Sequence, residues 1–175
     1  MNSHASGFDP SYQFLFATAG GCRFCLRLGD VERLLPLMQI QPVPDAPPYL
    51  AGIMNLAGEA VPVIDLARRL GLGDSPAYHL DNPVLLARAG GPGGRLAGLV
   101  VDDVLGVKRV PREAMRGEDL FRDGLPPVLG AVILDDGAAL LLDSLRILDI
   151  DLSGLAEPLT LGEELLALSR ETPPT

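Results

Sequence analysis

The strongest constraint on this chain is an internal repeat. Gly52-Ile-Met-Asn-Leu-Ala-Gly-Glu-Ala-Val-Pro-Val-Ile-Asp65 aligns without a gap to Gly130-Ala-Val-Ile-Leu-Asp-Asp-Gly-Ala-Ala-Leu-Leu-Leu-Asp143, 78 positions later. Gly52/Gly130, Leu56/Leu134, Ala60/Ala138 and Asp65/Asp143 coincide, and the apolar pattern agrees as far as Ile64/Leu142. Each copy continues into a short Leu/Arg segment, Leu66–Leu70 or Ser144–Leu148. Upstream, Leu26-Arg-Leu-Gly-Asp-Val31 resembles Leu99-Val-Val-Asp-Asp-Val104, 73 positions later. Two blocks in the same order point to duplication of one supersecondary unit. Each unit reads as strand, Asp-Val, hairpin, Asp and short helix. The expected product is two similar small β-barrels, each closing its own sheet and hiding its edges, built around residues 23–70 and 95–148.

Local signals support a mainly β chain. Strands are expected at Tyr12–Thr18, Cys22–Leu28, Ala51–Leu56, Glu59–Asp65, Pro83–Arg88, Arg95–Val101 and Val104–Arg109. A hairpin, Val128–Leu134 and Ala138–Leu142, turns at Asp135-Asp-Gly137, and Ala57-Gly58 turns the equivalent pair. Pro42–Pro48 is a rigid loop, Gly71–Asn82 a linker and Pro111–Met115 a helical turn. With 47% hydrophobic residues, no Trp and 20 Gly among 175 residues, the core must be aliphatic and the elements short. Residues 1–11 read as a flexible lead, 12–150 as the folded domain and 151–175 as an extension. Within the extension, Thr160–Arg170 forms an amphipathic helix carrying Leu161, Leu165, Leu166 and Leu168.

The formal charge of −9 argues against nucleic acid and anionic membrane surfaces as partners. The absence of a signal-peptide pattern and of a long apolar run leads us to expect a cytoplasmic protein without membrane insertion. Cys22 and Cys25 sit three strand steps apart on opposite faces, too far apart for a disulfide, and no second pair could complete a zinc site. They read as small core residues. Asp65 and Asp143 fall where strand gives way to helix and read as N-caps. Asp135 and Asp136 belong to a turn, and Asp30 and Asp103 recur before Val. His4 and His79 lie in the lead and the linker. No nucleophile elbow, P-loop or dinucleotide fingerprint is present. We therefore expect no catalytic residues, no cofactor and no metal. A metal-dependent enzyme using Asp102, Asp103 and Asp143, with Asp65 nearby, is the remote alternative.

Tyr49-Leu-Ala-Gly-Ile-Met-Asn-Leu-Ala-Gly-Glu-Ala-Val-Pro-Val-Ile-Asp-Leu-Ala-Arg-Arg-Leu-Gly-Leu72 resembles the signature of CheW-like domains, the bacterial chemotaxis coupling proteins. Their pattern is G-x-x-N-L-R-G-x-x-x-P-V-x-D-L followed by a short helix. Phe14-Leu-Phe-Ala-Thr18, Val31-Glu-Arg-Leu-Leu-Pro36, Gly98-Leu-Val-Val-Asp-Asp-Val104 and Ala139-Leu-Leu-Leu-Asp143 resemble other landmarks, so the likeness runs from Tyr12 to Leu148. It implies two similar five-stranded SH3-like barrels with short helices. It also implies a non-catalytic adaptor between the regulatory domain of a CheA-type histidine kinase and the cytoplasmic tip of a chemoreceptor. The positions it assigns to protein interaction are Val31, Arg33, Gly52, Asn55, Leu56, Ala57, Gly58 and Val104. Of the matching residues, Gly52 and Gly58 are expected to serve the backbone, and Pro62 a strand edge or bulge. Two departures stand out. The family's Arg is Ala57, and its V-x-E acid falls at Arg33, with Glu32 one place away and so expected on the opposite face. They suggest altered partner choice, as in an accessory protein of a specialised pilus or surface-sensing pathway that binds kinase but not the usual receptor.

Overall fold

Phe14-Leu-Phe-Ala17, Val84-Leu-Leu-Ala87 and Leu96-Ala-Gly-Leu-Val-Val101 are apolar at every position rather than at every second one. Strands with that pattern need cover on both faces. The computed structural model supplies it, and describes residues 13–73, 81–117 and 128–150. The expected lead 1–11, the extension 151–175 and most of the linker, with His4 and His79, lie outside the described residues.

The strands are β1 (Gln13–Ala19), β2 (Cys22–Arg27), β3 (Val31–Pro36), β4 (Ile40–Gln41), β5 (Leu50–Leu56), β6 (Glu59–Asp65), β7 (Pro83–Arg88), β8 (Leu96–Val100), β9 (Asp103–Arg109), β10 (Met115–Arg116), β11 (Val128–Leu134) and β12 (Gly137–Leu142). The helices α1 (Leu66–Arg69) and α2 (Ser144–Ile147) are single turns. One six-stranded sheet runs β9-β1-β2-β12-β11-β10 and the other β3-β7-β8-β6-β5-β4. Read in that order, the two sheets are the same sheet twice: β1–β6 with α1 corresponds to β7–β12 with α2.

The correspondence extends to irregularities. Val63 pairs in parallel with Gly98, and Leu141 with Cys25, at repeat-equivalent positions. Bulges fall at Ala51 and its counterpart Leu129, and at Glu32 and its counterpart Leu105. Bulges are specific local devices, so their recurrence at matched positions argues for duplication more strongly than the aliphatic pattern does.

The expectation that each copy closes its own sheet is corrected. The β1–β2 hairpin of the first copy joins β9–β12 of the second, and β7–β8 joins β3–β6. The reason is local. β2 already has β1 on one side and β12 on the other. Only Leu28–Asp30 separates it from β3, so the chain turns a corner into the neighbouring sheet. Val101-Asp102 makes the same corner between β8 and β9. The strand number is also six per sheet rather than five, because the two-residue strands β4 and β10 each extend one edge.

Alternation then divides the apolar residues among three cores. Phe14, Phe16, Cys25, Val132, Ala139 and Leu141 fill one face of one sheet, with Val110. Met54, Val61, Val63, Val84, Leu86 and Val100 fill one face of the other. The intervening residues, among them Leu15, Phe24, Leu26, Ile64, Leu85 and Leu99, meet in a central core between the sheets. Asp65 Oδ1 accepts from the Arg68 amide at 3.1 Å and Asp143 Oδ1 from the Leu145 amide at 3.0 Å, so both act as the N-caps the sequence predicts. Arg69 of α1 reaches across to α2. Its Nη2 donates to the Arg146 carbonyl at 2.7 Å and the Asp149 carbonyl at 2.8 Å.

Candidate protein-interaction surface

The motif shared with CheW-like domains lies on the β5–β6 hairpin. Leu56 pairs with Glu59, leaving Ala57 and Gly58 as a two-residue turn with φ of 52° and 91°. Positive φ at both positions matches the right-handed twist of the flanking strands. Asn55 Oδ1 accepts from the Gly58 amide at 2.8 Å and so holds the turn. Gly52 is needed further down the hairpin. A Cβ there would stand 2.3 Å from the Gln41 carbonyl oxygen, and its φ is 147°. Only glycine lets β4 lie against β5 at this point. Pro62 lies just before the pairing of β6 with β8 begins at Val63, where a missing N–H costs no ladder bond to that strand.

Leu56 packs against the core of its own sheet, and Val31 and Val104 pack against the central core. Of the eight positions assigned by resemblance, six therefore have a structural task. Among the described residues, Arg33 and Ala57 are the exposed pair whose side chains have none. Gly52, Asn55, Leu56, Ala57 and Gly58 are brought together on one hairpin. Val31 and Arg33 lie on β3, at the far edge of the same sheet, and Val104 lies in the other sheet.

The opposite-face expectation for Glu32 does not hold. Val31 pairs with Ala87 and Arg33 with Leu86, so Glu32 is the bulged residue and strict alternation lapses. Glu32 and Arg33 are both exposed, and the Glu32 carboxylate pairs with Arg88 of the adjacent strand.

The second copy of the hairpin tip is built differently. Its turn residue Asp136 receives a hydrogen bond from Lys108 Nζ at 3.0 Å and an ion pair from Arg23 at 3.4 Å. The Lys108 hydrogen bond, reinforced by the Lys108 and Arg23 charges, holds this carboxyl below its ordinary value. One tip is thus acidic and clamped to its own sheet, while the Ala57-Gly58 tip carries no charge. Beside the uncharged tip lies a groove of about 550 Å³ lined by Met38, Gln41, Ile53, Asn55 and Ala60.

Sequence reasoning did not single out the exposed apolar side chains. Leu34, Ile53, Leu105, Val107, Ile133 and Leu145 are all solvent-facing. Leu34 and Val107 are repeat equivalents, each 50% exposed, on the terminal strands of their respective sheets. Their strands mix these residues with other apolar ones, as in Val31-Glu-Arg-Leu-Leu-Pro36, so composition alone did not mark them as exposed.

The acids do not assemble. Asp143 caps α2, Asp103 Oδ1 accepts from the Val104 amide at 2.8 Å, and Asp30 accepts from Ser144 Oγ at 2.8 Å. Among the described residues no three His, Cys, Asp or Glu side chains gather to hold a metal ion, so the metal-enzyme alternative finds no site there. Burial pushes the Cys25 thiol up to about 12, and both cysteines are free. Among the described residues no helix is long and apolar enough to cross a membrane.

Residues 13–151 match the sequence profile of the CheW-like domain. Protein FrzA of Myxococcus xanthus is 33% identical over 116 residues, covering 61% of this chain and 64% of that protein. A probable chemotaxis protein CheW of Rhizobium etli is 30% identical over 99 residues, covering 55% of this chain and 60% of that one. The chain thus spans less than two thirds of the length of these relatives. The crystal structure of the scaffolding protein TtCheW from Thermoanaerobacter tengcongensis superposes with a TM-score of 0.70 at 22% identity, over 81% of this chain and 94% of that one. The two share the double-sheet fold.

Proposed function

Since the chain belongs to the CheW-like domain family of non-catalytic scaffolds in chemotaxis-type signalling, we propose that it couples chemoreceptors to a CheA-type histidine kinase. The match across both sheets, residues 13–151, carries this reading. In it, the kinase regulatory domain binds exposed apolar strand surface, and an apolar helical receptor tip enters a groove beside the uncharged Ala57-Gly58 turn. Contiguous apolar surface suits such contacts because its removal from water drives association, while a polar rim sets orientation.

A second reading is favoured by Arg33 and Ala57. Arg33 replaces an acid and Ala57 an Arg of the family pattern, and charge changes at an interface alter which partner is accepted. The displaced acid, Glu32, is already paired with Arg88. In this reading the protein is an accessory scaffold of a specialised pathway that binds kinase but not the usual receptor. The name FrzA, rather than CheW, on the relative at 33% identity is in keeping with it.

The test is binding of the intact protein to the regulatory domain of its own organism's CheA-type kinase, with and without receptor-tip fragments. Binding of both partners is the expected result for the coupling role. Kinase binding alone selects the accessory reading. Folded protein that binds neither overturns both.

A further inference from the structure

A second groove, of about 620 Å³, carries an inference that does not rest on the partner reading. Its lining includes Leu50, Pro62, Leu96 and Ile150 together with the charged residues Glu59, Arg88 and Arg95. Arg95 is exposed, and its guanidinium has no ion pair among the described residues. The described chain ends at Ile150, which lines this groove.

The composition of residues 151–175 suits this groove. They contain seven Leu, and five acids against one Arg. A segment so rich in Leu does not have the composition of a solvated tail. The helical spacing of Thr160–Arg170 puts Leu161, Leu165 and Leu168 on one face, with Glu164 at its flank. Between Ile150 and Thr160 the chain can reach roughly 30 Å when extended, while the helix itself would be about 16 Å long. The helix is therefore within reach of the groove that Ile150 lines.

We propose that residues 151–175 fold back so that the Leu161/Leu165/Leu168 face fills the groove lined by Leu50, Pro62, Leu96 and Ile150, with Glu164 meeting Arg95. The chain is its own ligand at this site. Because Ile53 and Ala60 line both this groove and the one beside the Ala57-Gly58 turn, the docked segment borders the candidate interaction surface.

Cysteine trapping in the full-length chain tests this without kinase or receptor, so its outcome is independent of the proposed function. Ala60→Cys and Leu165→Cys are introduced into a Cys22→Ser/Cys25→Ala background whose β-sheet circular dichroism is checked first. Mild oxidation is expected to give a disulfide within one chain. Arg95→Glu should slow its formation roughly threefold, the scale of an exposed ion pair, and Glu164→Arg should restore it in the Arg95→Glu background. Three results would overturn the proposal. One is no disulfide. Another is a disulfide only between chains, which would make the occupant a second copy. The third is equal trapping when Ile133→Cys on the other sheet replaces Ala60→Cys, which would mean the segment visits every surface alike.

Discussion

Arg69 offers the sharpest test of how the two copies are held together. It lies in the last turn of α1, and its repeat equivalent is Ile147, so the contact has no mirror image. Nη2 donates to the Arg146 and Asp149 carbonyls at 2.7 and 2.8 Å, Nε donates to the Ile147 carbonyl at 3.3 Å, and the guanidinium lies 4.3 Å from the Tyr49 ring centroid. The Arg146 and Ile147 carbonyls end α2, where the helix itself supplies no donors, and the Asp149 carbonyl lies just beyond it. Hydrogen bonds from a charged donor contribute about 1.5–3 kcal/mol each where water is excluded. The two short bonds are exposed, so water recovers much of that on truncation. The aromatic contact adds about 0.5–1 kcal/mol. Arg69→Ala should therefore cost about 2–3 kcal/mol, while Arg69→Lys, which keeps the charge but not the fork, should cost roughly half as much. The assay is urea unfolding, read as a shift in midpoint at unchanged slope. A cost below about 0.5 kcal/mol for Arg69→Ala, or equal costs for Ala and Lys, would refute the argument that the fork joins the copies.

Gly52→Ala should destabilise by about 3–5 kcal/mol, because the new methyl group meets the Gln41 carbonyl and the backbone is strained at once. Gly29→Ala, which meets open space, should stay within about 0.5 kcal/mol in the same urea assay. Ala57→Gly should stabilise by about 0.5–1 kcal/mol by relieving the left-handed φ, and thermal unfolding would show it as a higher Tm. A thiol reagent at pH 8 should leave Cys25 unmodified in the native protein and label it only in denaturant, with mass spectrometry locating the adduct. Asp136 has a lowered folded-state pKa, so its ion pairs add stability above the ordinary carboxylate range and lose it as pH falls through the folded value. Asp136→Asn should accordingly be less stable than the parent at pH 7 in low salt. The two proteins should converge in acid, as followed by thermal unfolding across pH.

Much of this architecture was legible in the residues. The 78-position repeat, both hairpin turns and the two Asp caps depend on local chemistry, which a sequence displays directly. What escaped was partnership. Strands such as Val84-Leu-Leu-Ala87, apolar on both faces, look the same whichever sheet accepts them, so the exchange of β1–β2 and β7–β8 between copies left no periodic mark. β4 and β10 are too short to show any period. The bulge at Glu32 is defined only by what Val31 and Arg33 pair with, which is why the face of Glu32 was misjudged. On the candidate surface, the Ala57-Gly58 turn could be read from its dipeptide. The reach of Arg69 could not, because it recognises backbone carbonyls, which every residue carries.

The exchange of hairpins also sets a timetable for synthesis. The sheet β3–β8 is contiguous in the chain and is complete once Val100 has been made. The β1–β2 hairpin is made first, yet its partners β9–β12 end only at Leu142. At 5–20 residues per second, the stretch from Val100 to Leu142 alone takes roughly two to eight seconds. During it, Leu15, Phe24 and Leu26 can already rest on the finished sheet through the central core, while Phe14, Phe16 and Cys25 have nothing to cover them. Any neighbouring chain that has reached β12 offers the same cover as the chain's own C-terminal half. On crowded ribosomes, exchanged dimers are therefore the characteristic folding error of this topology.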